Sequence, residues 1–313
     1  MKTLIVDGNN ALMRAIYATQ HSGMSHHGIN TGPLNTFIGT IAHLVRTECP
    51  KYMAVAWDSG GPNHRHAISS DYKGNRVKGP IAELKETAFP QAKEFLRAAG
   101  IDQAEIPGFE ADDIIASWWF QIKPPSVPPR PPAVDTIVIA SSDKDFLQLT
   151  GENPEGIPTV LLRFSSSEVK TDRWDAVRLL DEHGIEPHQW PLVTALTGDI
   201  SDNVVGIPGI GPKRALAMLK RYDWNLGEAV LAEKADYVEQ VHTNLQLVNL
   251  RNPRIITGAP PAALDLPIPS AASAGRFTTF LGRYGLQETL RRFDQGRLWR
   301  EKKTPGRPLT FRP

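Results

Sequence analysis

Cysteine is almost absent from this sequence of 313 residues, which contains only Cys49. A single cysteine excludes an internal disulfide and a zinc site built from several thiolates, and it is typical of a reducing compartment. No apolar run approaches the roughly 18 residues that a membrane-spanning helix requires. The amino terminus, MKTLIVDGNN, reaches an acid after a very short apolar run, unlike a cleaved secretion signal. We therefore expect a cytoplasmic protein with no membrane contact.

The net charge of +1 is also small, but the charge is unevenly distributed. From Arg291 onward, eight basic residues and two acids give this segment a net charge of +6, which leaves −5 for the rest of the chain. A basic tail at 293–313 is consistent with a polyanionic partner or with a solvated chain end. The acidic remainder requires an explanation of its own.

The pattern of apolar residues predicts an α/β domain in the first half of the chain. Short apolar runs at 4–6, 53–57 and 136–140 alternate with helical patterns, for example at 33–45 and 80–99. Such alternation predicts a central, mainly parallel sheet with flanking helices. From residue 171 onward the pattern is mostly helical.

Two proline-rich segments, at 123–133 and 258–270, cannot continue a helix and are predicted to be extended loops. The first is either a solvent-exposed spacer or a proline-rich ligand for a partner.

Acidic residues follow several of the predicted strands or open neighbouring helices. Because parallel strands end at one edge of a sheet, these acids are expected to converge there. Each acid alone is better explained as a helix cap or a turn residue than as a metal ligand. Together they would repel one another unless cations neutralised them, and ligation by oxygen alone favours two or more Mg²⁺ or Mn²⁺ ions over zinc. The acids are Asp7, Asp58, Glu110, Asp112, Asp113, Asp143, Asp145, Asp199 and Asp202.

A basic segment, PNHRHAISSDYKGNRVKG at 62–79, follows the second predicted strand. Lys73 and Arg76 are three residues apart, so a helix would present both side chains to one phosphate. Arg65 lies in the same segment. The alternative is an ordinary solvated helix face.

A glycine-rich segment, GIPGIGPKRALAMLKRY, occupies 206–222. It predicts a tight turn at 206–211 followed by a helix with Pro212 in its first turn. Glycines allow the backbone to approach a phosphate closely, and the helix start offers free N–H groups beside Lys213 and Arg214. The segment therefore predicts a grip on duplex DNA that does not read sequence.

With these segments assembled, the chain resembles the 5′ nuclease family of flap endonucleases and 5′-3′ exonucleases, which includes the amino-terminal domain of bacterial DNA polymerase I. The resemblance spans about 2–292 and rests on VDGNN, AWDSGGPNHRH, YKGNR, GFEADD, SSDKD, TGDISDN and GIGPKRA in this order. It implies a PIN-like α/β domain at 1–170 with a helical arch or clamp at about 59–100. It further implies a helical DNA-binding region at 171–292, with a helix-three-turn-helix element at about 190–222, before the basic tail.

The resemblance also implies roles for individual residues. The first metal site would be Asp7, Asp58, Glu110 and Asp112, and the second would be Asp112, Asp143, Asp145 and Asp202. Asp113 and Asp199 match further acids of the bacterial branch. Lys73, Arg76 and the bridging Asp112 would be catalytic. The implied DNA contacts are Arg65, Lys73, Arg76, Gly209, Gly211, Lys213 and Arg214, and the implied K⁺ site is the backbone at Gly206, Ile207 and Gly209.

The expected function is hydrolysis of phosphodiesters at 5′ flaps and 5′ ends of duplex DNA by a two-metal mechanism. The expected substrates are flapped, nicked, gapped or 5′-ended duplexes, including RNA-primed DNA. We expect a free-standing bacterial or phage monomer that cooperates with a DNA polymerase and a ligase. Two alternatives are a PIN-like ribonuclease, which would not need the glycine-rich turn, and a junction-binding protein without turnover, which would lack ligands.

Overall fold

The computed structural model describes residues 2–74, 81–123, 135–164, 171–251, 271–294 and 298. Arg76, the proline-rich segments apart from Lys123, and almost all of the basic tail lie outside the described residues.

A seven-stranded sheet forms the centre of the fold. Its order is β5-β4-β1-β6-β8-β7, and β9 pairs with β8. Strands β5, β4, β1, β6 and β8 are parallel, whereas β7 and β9 are antiparallel to β8. The strands are β1 (Lys2–Asp7), β4 (Tyr52–Trp57), β5 (Asp102–Glu105), β6 (Thr136–Ala140), β7 (Gly151–Glu152), β8 (Pro158–Phe164) and β9 (Thr171–Trp174). Two small hairpins pair β2 (Ser25–His26) with β3 (Ile29–Asn30) and β10 (Gly198–Asp199) with β11 (Val204–Val205).

Helices cover both faces of the sheet. The first half of the chain contains α1 (Gly8–Thr19), α2 (Gly32–Glu48), α3 (His64–Ile68), α4 (Ala82–Ala99) and α5 (Ala111–Gln121). The later helices are α6 (Ala176–His183), α7 (Trp190–Thr197), α8 (Pro212–Arg221), α9 (Leu226–Glu233), α10 (Val238–Val248), α11 (Ala271–Arg283) and α12 (Gln287–Asp294). The predicted α/β fold with a mainly parallel sheet is therefore confirmed. Among the described helices, none combines the length and apolar character needed to cross a bilayer.

Alternation along β1 divides the core into two layers. Leu4 and Val6 face a layer formed with α1, α2, α4 and α11, and Ile5 faces the other layer, which includes α5. Side chains two residues apart point to the same face of a strand, so the apolar run of β1 is buried on both sides. Phe95 of α4 contacts Phe277 and Phe280 of α11, with ring centroids 5.7 and 6.1 Å apart. The helices at 271–294 thus belong to the first layer, although they lie in the predicted helical region.

A smaller core joins α7, α8, α9 and α10. It is linked to the sheet domain by Gln148, whose side-chain amide donates to the carbonyl of Val248 at 3.0 Å and accepts from the N–H of Leu250 at 2.8 Å. Gln148 is completely buried, so these hydrogen bonds have no competition from water. The link holds α10 beside the carboxyl ends of the strands.

Candidate active site

Asp7 is the last residue of β1 and also caps α1. One carboxylate oxygen accepts the N–H of Asn10 at 2.9 Å, and the other accepts the hydroxyl of Ser141 at 2.8 Å. The side chain is nearly buried, with the residue 7% exposed. Desolvation, with repulsion from Asp58 and Asp143, raises the pKa of Asp7 to about 7. Folding therefore holds an acid at this strand end at a cost in stability.

Asp58 follows β4 and connects it to two neighbouring elements. Its Oδ1 accepts the N–H of Ala111 at 2.8 Å, and its Oδ2 accepts the side-chain amide of Asn9 at 2.7 Å. Burial, with repulsion from Glu110 and Asp112, raises its pKa. Asp58 thus lies between the starts of α1 and α5.

A second pair of acids follows β6. Asp143 caps the short 3-10 helix Lys144–Leu149, and its Oδ1 accepts the N–H of Asp145 at 2.9 Å. Desolvation and neighbouring carboxylates raise the pKa of Asp143 to about 6. Desolvation, with repulsion from Asp143, Asp199 and Asp202, raises that of Asp145 well above its usual range. Asp199, the last residue of β10, and Asp202, in the turn before β11, therefore lie near the acids after β6.

The start of α5 supplies three further acids. Glu110 is the N-cap residue, and its N–H donates to Asp113 Oδ2 at 3.0 Å. Asp112 Oδ1 accepts the N–H of Asp113 at 2.8 Å. Glu110 and Asp112 open towards the other acids, whereas Asp113 is 0% exposed. Asp113 faces the protein interior.

Arg65 explains the orientation of Asp113. Its guanidinium lies 2.9 Å from Glu110 Oε2, 3.1 Å from Asp112 Oδ2 and 2.8 Å from Asp113 Oδ1. Its Nε donates to the carbonyl of Leu247 at 3.0 Å. Arg65 is 1% exposed, so the protein encloses its side chain. The resemblance had instead implied a contact between Arg65 and DNA. Burial opposes its charge, but Asp112 and Asp113 raise the pKa of Arg65 well above its ordinary value, so it remains a cation.

Lys73 and Tyr72 join Glu110, at the start of α5, to Asp202, in the turn between β10 and β11. Lys73 Nζ donates to Glu110 Oε1 at 2.7 Å, and its main-chain N–H donates to the carbonyl of Asp202 at 3.0 Å. The hydroxyl of Tyr72 lies 3.1 Å from Glu110 Oε2 and 3.0 Å from Asp202 Oδ2. Lys73 has φ of 55°, a left-handed conformation, so the helix suggested for 73–76 does not include it. Arg76 lies outside the described residues, so the presentation of both side chains to one phosphate stays a prediction.

Asparagines that sequence reasoning missed connect the three strand ends. Besides its bond to Asp58, Asn9 accepts the Asp58 N–H at 2.9 Å. Asn10 accepts the N–H of Ser142, also at 2.9 Å. Short amides after β1 thus tie β1 to β4 and β6. The only sequence signal was two consecutive asparagines after an apolar run; Tyr72, also missed, was marked only by its place beside Lys73.

The chemistry of this acidic edge fits divalent cations. Asp7, Asp58, Asp143 and Asp145 all have raised pKa values, because burial desolvates their carboxylates and neighbouring carboxylates repel them. Hard oxygen donors of this kind suit Mg²⁺ or Mn²⁺. Within the described ranges, however, no three potential ligands are already arranged around one point. Lys73 occupies Glu110 Oε1 from the more exposed side of the cluster, with its side chain 16% exposed.

A glycine-dependent hairpin precedes α8. A Cβ on Gly206 would lie 2.1 Å from the carbonyl oxygen of Thr197, which no side chain tolerates. Gly209 has φ of 77°, in the region that favours glycine. Ile207 and Ile210 are buried in the small helical core. The glycines thus allow the tight turn, and the two buried isoleucines anchor it to the small helical core.

The first turn of α8 is exposed and basic. Pro212 occupies the start of the helix, and Lys213 and Arg214 follow with exposed side chains. The N-cap residue Gly211 provides no side-chain hydrogen bond to the free N–H groups. Free N–H groups and adjacent cations favour a phosphate at this position.

Comparison with known proteins agrees with this geometry. Residues 2–180 match the family described as 5′-3′ exonuclease, N-terminal resolvase-like domain. The chain belongs to the 5′-3′ exonuclease family. A 5′-3′ exonuclease of Aquifex aeolicus is 35% identical over 223 residues, which cover 71% of this chain and 70% of that protein. DNA polymerase I of Caldicellulosiruptor bescii is 32% identical over 222 residues, 71% of this chain and only 24% of the polymerase.

Solved structures show the same fold as this exonuclease-family chain. A bacteriophage T5 flap endonuclease in complex with DNA and metal ions aligns with a TM-score of 0.60 at 19% identity, covering 95% of this chain and 98% of the other. The catalytic core of Rad2 in complex with DNA aligns with a TM-score of 0.53 at 16% identity, covering 94% and 90%. These likenesses confirm the predicted mainly parallel central sheet with flanking helices.

Proposed function

We propose that this chain is a divalent-metal-dependent, structure-specific 5′ nuclease that hydrolyses phosphodiesters at 5′ flaps and 5′ ends of duplex DNA. The observation that carries the proposal is the joint presence of crowded carboxylates at one sheet edge and an exposed basic helix start at α8. A relative named 5′-3′ exonuclease, and a structural neighbour named flap endonuclease with DNA and metal ions, support it.

The acidic edge provides two sets of ligands. Bound there, Mg²⁺ or Mn²⁺ ions supply the Lewis acidity that phosphodiester hydrolysis needs near neutral pH. We assign Asp113 a supporting role rather than that of a metal ligand, because its carboxylate is buried against Arg65 and the N–H of Glu110. Asp199 lies beside the second set. The first set is Asp7, Asp58, Glu110 and Asp112, and the second is Asp112, Asp143, Asp145 and Asp202.

Lys73 is the proposed contact for the scissile phosphate. Although burial opposes its charge, Asp112, Asp202 and Glu110 raise its pKa, so Lys73 remains protonated. Glu110 would help to hold an ion, and the ammonium group of Lys73 would then donate to a phosphate oxygen instead. Tyr72 keeps its hydroxyl proton, because burial and nearby carboxylates raise its pKa, and it holds Glu110 beside Asp202. Arg76 is the matching second cation in the sequence.

The hairpin and α8 form the proposed duplex grip, as a helix-three-turn-helix element at about 190–222. Lys213 and Arg214 would contact one strand of the duplex, and the glycines let the backbone approach the phosphates. The contact positions the duplex without reading bases. The proposed backbone contacts are at Gly209 and Gly211, and a K⁺ ion would bind carbonyls at Gly206, Ile207 and Gly209.

The proposed substrates are duplex DNA with a 5′ flap, nick, gap or free 5′ end, including RNA-primed DNA. Cleavage of a flap leaves a nick, which a ligase seals, and flaps arise when a polymerase displaces a strand. We therefore propose that this monomeric, cytoplasmic enzyme acts between these two reactions.

Cleavage of competing substrates tests the proposal against the two alternatives. We expect Mg²⁺ or Mn²⁺ to support cleavage of a 5′-flap DNA near its junction, faster than cleavage of single-stranded RNA, with none in EDTA. Preferential RNA cleavage would favour a PIN-like ribonuclease. Tight flap binding without cleavage in either metal would favour a non-catalytic junction protein.

A further inference from the structure

The side chain of Arg65 is fully engaged inside the protein. Nη1 donates to Glu110 Oε2 at 2.9 Å and to Asp113 Oδ2 at 3.1 Å, and Nη2 donates to Asp112 Oδ2 at 3.1 Å. The Nε–H donates to the main-chain carbonyl of Leu247. Every nitrogen of the planar guanidinium therefore has an acceptor, and no edge remains for a DNA phosphate.

Arg65 joins three separate elements. It lies on α3, its carboxylate partners lie at the start of α5, and Leu247 lies near the end of α10. Because its partners come from distant parts of the chain, the guanidinium fixes the acids of α5 relative to the helical region. A bidentate fork sets carboxylate orientation better than a lysine ammonium group would.

The two cations of the site approach Glu110 from different sides. Lys73 contacts Oε1, with its side chain 16% exposed, whereas Arg65 contacts Oε2, with its side chain 1% exposed. An ion arriving from solvent can replace Lys73 but meets Arg65 as a permanent neighbour. A guanidinium a few ångströms from a divalent ion repels it, and this repulsion is only partly screened in a buried site.

We infer that Arg65 is a positioning residue that serves as a fixed counter-cation: it holds Glu110 and Asp112 in place and weakens divalent-cation binding to them, without contacting DNA. The inference rests on the proposed function, which makes these two acids metal ligands. Asp113 is the third partner of the guanidinium: its buried carboxylate pairs with Arg65 on the interior side of Glu110 and Asp112.

Thermal unfolding and Mn²⁺ binding of Arg65→Gln test this role without any measurement of turnover. In EDTA at pH 8, we expect Tm to fall by about 6–15 °C, because three carboxylates lose their buried cation. We expect Mn²⁺, measured by electron paramagnetic resonance, to bind about tenfold tighter or more than in the wild type. Added Mg²⁺ should accordingly raise Tm more in the variant than in the wild type.

Two further substitutions keep the test informative if Arg65→Gln folds poorly. Arg65→Lys retains the charge, so its Mn²⁺ affinity should stay within about threefold of the wild type. Asp113→Asn removes a negative charge but keeps an oxygen to accept the N–H of Glu110. It should therefore weaken Mn²⁺ binding by roughly threefold to tenfold.

Asn153→Ala is the matched control for simple destabilisation. Asn153 is buried and bonds to the carbonyls of Trp119 and Ile122, and its replacement changes no charge. It should lower Tm but leave the increment produced by Mg²⁺ equal to that of the wild type.

Unchanged or weaker Mn²⁺ binding by Arg65→Gln would overturn the inference. So would a normal Tm combined with weaker flap binding in EDTA, which would make Arg65 a DNA contact. Absence of cleavage by the wild-type protein would overturn the proposed function alone.

Discussion

Replacing Asp7 with asparagine should stabilise the protein at pH 8 when divalent cations are removed. Desolvation, with repulsion from Asp58, raises the pKa of Asp7 from an ordinary 3.8 to about 7. The folded state therefore binds more protons than the unfolded chain between these values, so the free energy of unfolding falls as pH rises through this window. A difference of about three pH units corresponds to about 4 kcal/mol at most, fully present above pH 7.

Asparagine preserves the local hydrogen bonds while removing the charge. Its carbonyl can accept the N–H of Asn10, and its amide can donate to the hydroxyl of Ser141. Allowing for incomplete compensation, we expect Asp7→Asn to raise Tm by about 4–10 °C at pH 8 in EDTA. The gain should shrink towards pH 4, where Asp7 is neutral in the folded wild type, and in saturating Mg²⁺, which is proposed to bind the ionised carboxylate.

Circular dichroism melts from pH 4 to pH 8 provide the assay. Asp175→Asn is the matched control, because Asp175 caps α6 by accepting the N–H of Arg178 at 2.9 Å and lies outside the acidic edge. No stabilisation is expected in that variant. A lower Tm for Asp7→Asn than for the wild type at pH 8 in EDTA would refute the idea that Asp7 is held ionised at a cost.

Three further predictions concern the basic residues and the hairpin. Lys73→Met keeps the side-chain length but removes the charge, so kcat on a flap substrate should fall about a hundredfold or more, with Kd within several-fold; unchanged kcat would contradict a role at the phosphate. Replacing Lys213 and Arg214 by alanine should reduce the slope of log Kd against log salt by about two, whereas Lys220→Ala at the far end of α8 should not change it. Gly206→Ala should weaken duplex binding, measured by fluorescence anisotropy, about tenfold or more, because the new methyl group cannot fit without moving the hairpin; normal affinity would show that the hairpin is not needed.

Features encoded over short distances were predictable from the sequence. Asp7 and Asp58 each stand at the end of an apolar strand. Because parallel strands end at the same edge of a sheet, the alternation of strands and helices predicted that both acids lie at that edge. The turn before α8 was predicted from its glycines and the following proline.

Features that depend on distant contacts were not predictable in this way. The burial of Arg65 depends on Leu247, 182 positions away along the chain. The left-handed turn at Lys73 depends on a main-chain bond to Asp202. Local spacing suggested a DNA-facing arginine and a helix, because neither distant partner is visible to a pattern of neighbouring residues. The same limit applies to Tyr72, whose hydroxyl lies between acids from two different elements.

Cleavage and binding of one internally labelled 5′-flap duplex by the wild type and by Asp112→Asn test the central claim most directly. Asp112 is proposed to bridge both ligand sets, so its amide variant should lose cleavage in Mg²⁺ by about a thousandfold or more while binding the flap within several-fold. The control Asp175→Asn should cleave like the wild type, near the junction. Undiminished cleavage by Asp112→Asn would contradict the account, as would a wild-type protein that binds the flap but leaves it intact in both Mg²⁺ and Mn²⁺.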